Sequence, residues 1–148
     1  MATPVIRPAT PDDAVEVSRV FVAARDEMTY LPRISDEHRP LLGGWFIDRG
    51  SIFLAEQDGA VLGFSGVKDA ELTHLYADPA AQNRGVGTEL LEHAKTVSPE
   101  RLELWVFQRN GGARRFYERH GFRLVQLTDG SGNMEREPDA RYEWTSGG

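Results

Sequence analysis

Apolar and polar positions change period repeatedly along the chain, and each change marks an element. Val5-Ile6-Arg7 is a short extended run. Thr10-Pro11-Asp12-Asp13 then offers a cap, a proline in the first turn and early acids, and Ala14, Val17, Phe21, Ala24 and Met28 continue as one apolar helical stripe. Tyr30-Leu31-Pro32 breaks that helix. A second helical stretch follows Ser35, with Leu41, Leu42, Trp45 and Phe46 apolar and Gly43-Gly44 a weak point. Ser51 to Glu56 and Ala60 to Val67 read as a hairpin around Asp58-Gly59, a dipeptide suited to a tight turn. A fourth strand covers Glu71 to Ala77 and is closed by Asp78-Pro79. Val86, Leu90, Leu91, Ala94 and Val97 share the face of a third helix, and Leu102 to Phe107 forms a fifth, alternating strand. Asn110 suits the cap of a fourth helix and Gly121 its end. Phe122 to Leu127 and Arg141 to Trp144 finish the chain as two strands joined by a polar, glycine-rich loop. The order β-α-α-β-β-β-α-β-α-β-β predicts a mixed α/β sheet with flanking helices, one domain over residues 1–148 and no internal repeat.

The segment between the fourth strand and the third helix carries the first chemistry. Residues 82 to 88 read Gln-Asn-Arg-Gly-Val-Gly-Thr. A helix start leaves backbone N–H groups unpaired and carries partial positive charge, so phosphates bind there. Gly85 and Gly87 have no side chains to keep a ligand off those amides. The predicted ligand is a pyrophosphate, against the plainer alternative of a surface turn. A Walker loop would need lysine between the second glycine and the hydroxyl residue, and Thr88 follows Gly87 directly. The dinucleotide fingerprint would need glycine at the position of Leu90. Gly63-Phe64-Ser65-Gly66 is no hydrolase elbow, since Val67 stands where the last glycine belongs.

A second segment follows the fifth strand: Asn110-Gly111-Gly112-Ala113-Arg114-Arg115-Phe116-Tyr117-Glu118-Arg119-His120-Gly121-Phe122. Gln/Arg-x-x-Gly-x-Gly after a strand ending in Asp-Pro, and then Asn-x-x-Ala-x-x-Phe-Tyr-x-x-x-Gly-Phe, resemble the acyl-CoA loop and the fourth helix of the GNAT acetyltransferase superfamily. Asn110 lies 23 residues after Gly87, room for one helix, one strand and a loop. The resemblance spans roughly residues 51 to 128.

The resemblance implies the acyl-CoA N-acyltransferase fold, with the fourth and fifth strands splayed and the pantetheine arm lying between them like an added strand. Backbone groups of Leu75 and Ala77 would hold that arm. Amides of Arg84, Gly85, Val86, Gly87 and Thr88 would hold the pyrophosphate, with Gln82 close by. Asn110, Ala113, Phe116 and Tyr117 complete the coenzyme set. Acetyl-CoA is then the co-substrate and an amine the acceptor, and no metal is called for. Expelling a thiolate from a thioester is helped by a nearby phenol, and Tyr117 keeps its proton at pH 7, so it is the candidate acid; the alternative is a packing aromatic. An ammonium acceptor must lose a proton before attack. Glu71, where some members of the superfamily carry a catalytic glutamate, is the first candidate for that base against the plainer alternative of a solvated strand-end charge; His74 is the runner-up and Glu103 a weaker third.

Composition narrows the rest. With 40% apolar residues in 148 the chain can bury a core. Its net charge of −6 argues against nucleic acid, while Arg84, Arg109, Arg114 and Arg115 gather around the two coenzyme segments. No apolar run approaches the roughly 18 residues of a membrane span, and no signal-peptide pattern opens the chain, which predicts a cytoplasmic protein, monomer or homodimer, away from membranes. The absence of cysteine excludes a cysteine acyl-enzyme, so the amine is expected to attack the thioester directly or through some less usual nucleophile. A coenzyme-binding module without transferase activity is the alternative function. The resemblance implies that the first two helices and the last hairpin form the acceptor side, which makes Met28, Tyr30, Trp45, Glu135, Arg141, Tyr142 and Trp144 candidates by location only; the four acids of the loop from Thr128 to Asp139 suit an ammonium, or equally a charged turn.

Overall fold

The structure is a computed structural model and describes residues 3–82 and 84–147. Asn83, inside the loop singled out above, lies outside the described residues. The elements run β1 (Val5–Pro8), α1 (Ala14–Asp26), α2 (Leu42–Arg49), β2 (Ser51–Gln57), β3 (Ala60–Lys68), β4 (Glu71–Ala77), α3 (Val86–Val97), β5 (Arg101–Phe107), α4 (Gly111–Arg119), β6 (Arg123–Leu127) and β7 (Asp139–Thr145). One seven-stranded sheet has the order β1-β2-β3-β4-β5-β7-β6. Every neighbouring pair is antiparallel except β4 and β5, which run parallel.

Apolar side chains leave both faces of the sheet. On one, Val17, Val20 and Phe21 of α1 pack with Ile52, Leu54 and Phe64, joined by Phe46 of α2. On the other, Leu91 and Ala94 of α3 and Tyr117 of α4 pack with Leu72, Leu102, Leu104 and Tyr142. Val61 to Val67 of β3 are buried throughout, as a strand covered on both faces must be.

Local chemistry explains most boundaries. Asp58 and Gly59 both take positive φ, 53° and 79°, and turn β2 into β3. The Thr10 amide donates to the Asp13 carboxylate at 2.8 Å, fixing the approach to α1. Two helix boundaries differ from the periodicity. The stripe through Met28 outruns α1, because its last turn tightens: Glu27 and Met28 donate to Ala24 and Arg25, three residues back. The second helix starts at Leu42, since Pro40 lies in a single 3-10 turn over Arg39–Leu41. Gly43 is no weak point there. Its amide donates to the Ser18 hydroxyl at 2.7 Å, and a Cβ would stand 2.0 Å from the Ala14 carbonyl oxygen, so α1 and α2 meet only because it is glycine.

Candidate functional site

β4 and β5, seven residues each, register at one pair only, Glu71 opposite Glu103. The Glu103 amide donates to the Ala70 carbonyl at 2.8 Å at this closed end. Beyond it the strands part, and backbone edges that would have paired line a cleft of about 420 Å³ instead. Leu72 to Ala77 form one wall, Leu104 to Phe107 the other, with Gln82, Asn110, Ala113 and Tyr117 at the end nearer α3 and α4. An extended ligand bearing amides suits such an unpaired edge.

A register shift between Gly66 and Val67 decides which β4 side chains face which helices. Gly66 stands opposite His74 and Val67 opposite Leu72, so Thr73 is the extra residue. Leu72 and Leu75 both join the cluster under α3 and α4. His74 and Tyr76 lie against Phe46 and Phe64 on the α1 and α2 face.

At the far end of β4, Asp78 caps the Ala80 amide at 3.0 Å and takes the Arg19 guanidinium at 2.6 Å, which together hold its pKa below the usual carboxylate range. The chain then enters α3 through Gly85 at φ 77°, a left-handed conformation natural to glycine. Among the described residues no side chain caps the first turn of α3. Glu89 donates to the Gly85 carbonyl at 3.0 Å, which leaves the amides of residues 86 to 88 without intrahelical acceptors. By contrast Asn110 caps α4, accepting from the Ala113 amide at 3.1 Å. A Cβ on Gly85 would meet nothing, and one on Gly87 would touch the Phe116 ring at 3.4 Å.

Tyr117 is buried, with Phe116 and Phe122 edge-on at 5.4 and 5.7 Å, and borders the cleft. Burial, aided by neighbouring Tyr76, pushes its pKa well above that of an ordinary phenol, so the hydroxyl stays protonated and able to donate. His74 borders the same cleft, with Nδ1 3.0 Å from the Thr73 hydroxyl, and burial lowers its pKa to about 4. Glu71 sits just outside the cleft wall at the closed end; burial, then the Glu103 charge, raise its pKa.

The structure therefore brings Leu75, Ala77, Gln82, Asn110, Ala113 and Tyr117 to one cleft, with His74 on its wall and Glu71 behind it. The Thr88 amide stands in the open first turn of α3, while its hydroxyl lies 3.4 Å from His120 Nε2. Phe116 faces the space an added Gly87 Cβ would enter and lies half-buried against the His120 ring, centroids 4.4 Å apart. The arginine cluster is divided. Arg114 donates to the Tyr142 hydroxyl at 2.9 Å, and Arg109 pairs with Glu137 at 3.1 Å beneath the Tyr30 ring. Arg84 and Arg115 are exposed. Several acceptor-side candidates fall elsewhere: Tyr142 is core, its hydroxyl on Glu118 at 2.7 Å; Trp144 packs under Lys95; Arg141 pairs with Glu103. Tyr76, a cleft residue missed in the sequence, reads there only as one more aromatic in a strand.

A family profile described as acetyltransferase (GNAT) domain matches residues 48–124, over half of the chain. The chain belongs to the GNAT acetyltransferase family. Over 87 residues it is 31% identical to the peptidyl-lysine N-acetyltransferase YiaC of Escherichia coli K12, an alignment taking in 58% of this chain and 59% of that protein. It is 30% identical over 128 residues to the 5-NmdU N-acetyltransferase of Pseudomonas phage PaMx11, covering 82% of this chain and 88% of the phage protein. The structure of yncA from Salmonella typhimurium with its cofactor acetyl-CoA matches at a TM-score of 0.74 over 98% of this chain and 95% of that one. At 16% identity this shows the shared GNAT fold: a mixed seven-stranded sheet flanked by helices. Among the described residues no helix is long and apolar enough to cross a membrane.

Proposed function

We propose that this GNAT chain transfers the acetyl group of acetyl-CoA to a primary amine by direct attack. The observation that carries the reading is the single β4–β5 register pair, with an open cleft beyond it and a protonated phenol on its wall. The pantetheine arm lies against Leu75 and Ala77, and the pyrophosphate sits at the uncapped start of α3 near Gly85, Val86, Gly87 and Thr88. Arg84 and Gln82 flank it, while Ala113 and Phe116 border the arm from α4.

The amine nitrogen attacks the thioester carbonyl carbon, the C–S bond breaks, and the departing sulfur receives a proton held by Tyr117. Two facts favour Glu71, through a bridging water, as the group that takes the ammonium proton. Its pKa is raised toward that of a useful base, whereas His74 at about 4 is a poor sink for a proton leaving an amine. A pH–rate profile tests this: Glu71→Gln removes the acidic limb and His74→Phe retains it, and the reverse result reassigns the base.

Tyr117→Phe keeps acetyl-CoA affinity and lowers turnover by ~10²-fold, read as release of free CoA across an amine panel. Unchanged turnover removes the phenol from the reaction. Acetyl-CoA that raises the melting point yet acetylates no amine in that panel favours a binding module instead.

A further inference from the structure

We infer that the hollow beneath the 128–139 loop receives the body of the acceptor, and that this acceptor is a primary amine on a flat apolar group. The inference rests on the acetyl-transfer reading above and names the substrate class of that site.

The hollow measures about 600 Å³, within the ordinary range of small-ligand pockets. Trp105 and Phe107 of β5 form its apolar wall, with Thr128, Ser131, Glu135 and Asp139 around it. Trp105 is 44% exposed, a large indole face left open to solvent inside a concave site. The stretch Trp105 to Phe107 also borders the Tyr117 cleft, so the hollow and the cleft adjoin along one strand. Tyr30 stands at the junction, edge-on to Phe107 with ring centroids 6.1 Å apart. Its hydroxyl is buried and has no hydrogen-bond partner among the described residues. A buried phenol in that condition is costly, and an acceptor amine at the junction satisfies it.

Charge selects the amine. Both Asp139 carboxylate oxygens are occupied, by the Thr128 hydroxyl and the Asn133 amide, and Glu137 is paired with Arg109. Glu135 is held only loosely, 4.0 Å from Arg25 at the end of α1, and its charge reaches Tyr76 in the cleft. One available carboxylate beside an aromatic wall suits one ammonium on an apolar body. It suits a polyamine less well, because a second cation finds no second available carboxylate among the residues lining the hollow.

The test is equilibrium binding of 2-phenylethylamine, ethylamine and spermidine, each with and without CoA. Phenylethylamine is expected to bind about tenfold tighter than ethylamine, from partial burial of its ring, and spermidine no tighter than ethylamine. Trp105→Ala, which removes the wall, and Ser131→Phe, which fills the hollow, should each bring the phenylethylamine-to-ethylamine ratio towards one. A wild-type ratio near one, spermidine as the tightest ligand, or a ratio that survives both substitutions would overturn the inference. Acetyl-CoA binding is measured separately. Its failure sinks the transferase reading, while the amine ratio still reports on the hollow.

Discussion

A methyl group at position 43 would lie 2.0 Å from the Ala14 carbonyl oxygen and 2.8 Å from the Ser18 amide nitrogen. Backbone, unlike a flexible side-chain tip, has little room to yield, so Gly43→Ala must push α1 and α2 apart. The expected loss is about 2–3 kcal/mol, typical of overpacking, seen as a lower urea midpoint at unchanged slope. His74 gives a second prediction at this scale. In the folded chain its ring stays neutral down to about pH 4, whereas the unfolded chain takes up the proton near the ordinary 6.5. Protons therefore favour unfolding between those values. The contribution to stability is complete above pH 6.5 and shrinks as pH falls towards 4, by about 2–3 kcal/mol at pH 4.5. Comparing urea midpoints at pH 7 and 4.5 should show His74→Phe losing less stability than wild type. An equal loss would mean the ring is not desolvated. Neither effect is visible in composition: Gly43 looks like a helix defect and His74 like a useful base.

The start of α3 separates structural from ligand-driven reasons for glycine. Gly85 is left-handed at φ 77°, so Gly85→Ala should cost about 1 kcal/mol of stability even without coenzyme. Gly87 is helical, and its added Cβ would make only an ordinary contact with Phe116 at 3.4 Å. Gly87→Ala should leave the unliganded protein as stable or more stable by roughly 0.5–1 kcal/mol, from helix propensity alone. It should nonetheless weaken acetyl-CoA, because the methyl stands over the amides of an uncapped turn. Calorimetric titration beside thermal melts checks both halves. Unaltered acetyl-CoA affinity would move the pyrophosphate away from this turn. The sequence marks both glycines as equivalent, and only the backbone angles distinguish them.

At the scale of the whole molecule the sheet is closed at one end and open at the other. β4 is bonded to β3 along its length but meets β5 only at Glu71 and Glu103. Its edge towards β5 should exchange amide hydrogens faster than the fully covered β3, and acetyl-CoA should slow exchange in peptides covering 71–77 and 102–107. Exchange there that ignores acetyl-CoA would remove the cleft from the coenzyme path. The same open end brings together residues from four distant stretches: Tyr30 after α1, His74 and Tyr76 on β4, Trp105 and Phe107 on β5, and Tyr117 on α4.

The order of elements, the hairpin at Asp58-Gly59, the capped helix at Asn110 and the glycine loop before α3 were all legible in the sequence. Each depends on periodicity or turn chemistry within about a dozen neighbouring residues. The single-pair contact of β4 with β5, the desolvation of His74 and Tyr117, and the meeting of Glu135 with the end of α1 were decided by the tertiary structure. Strand register, burial and charge proximity are relations between residues far apart in the chain, and no local pattern encodes them.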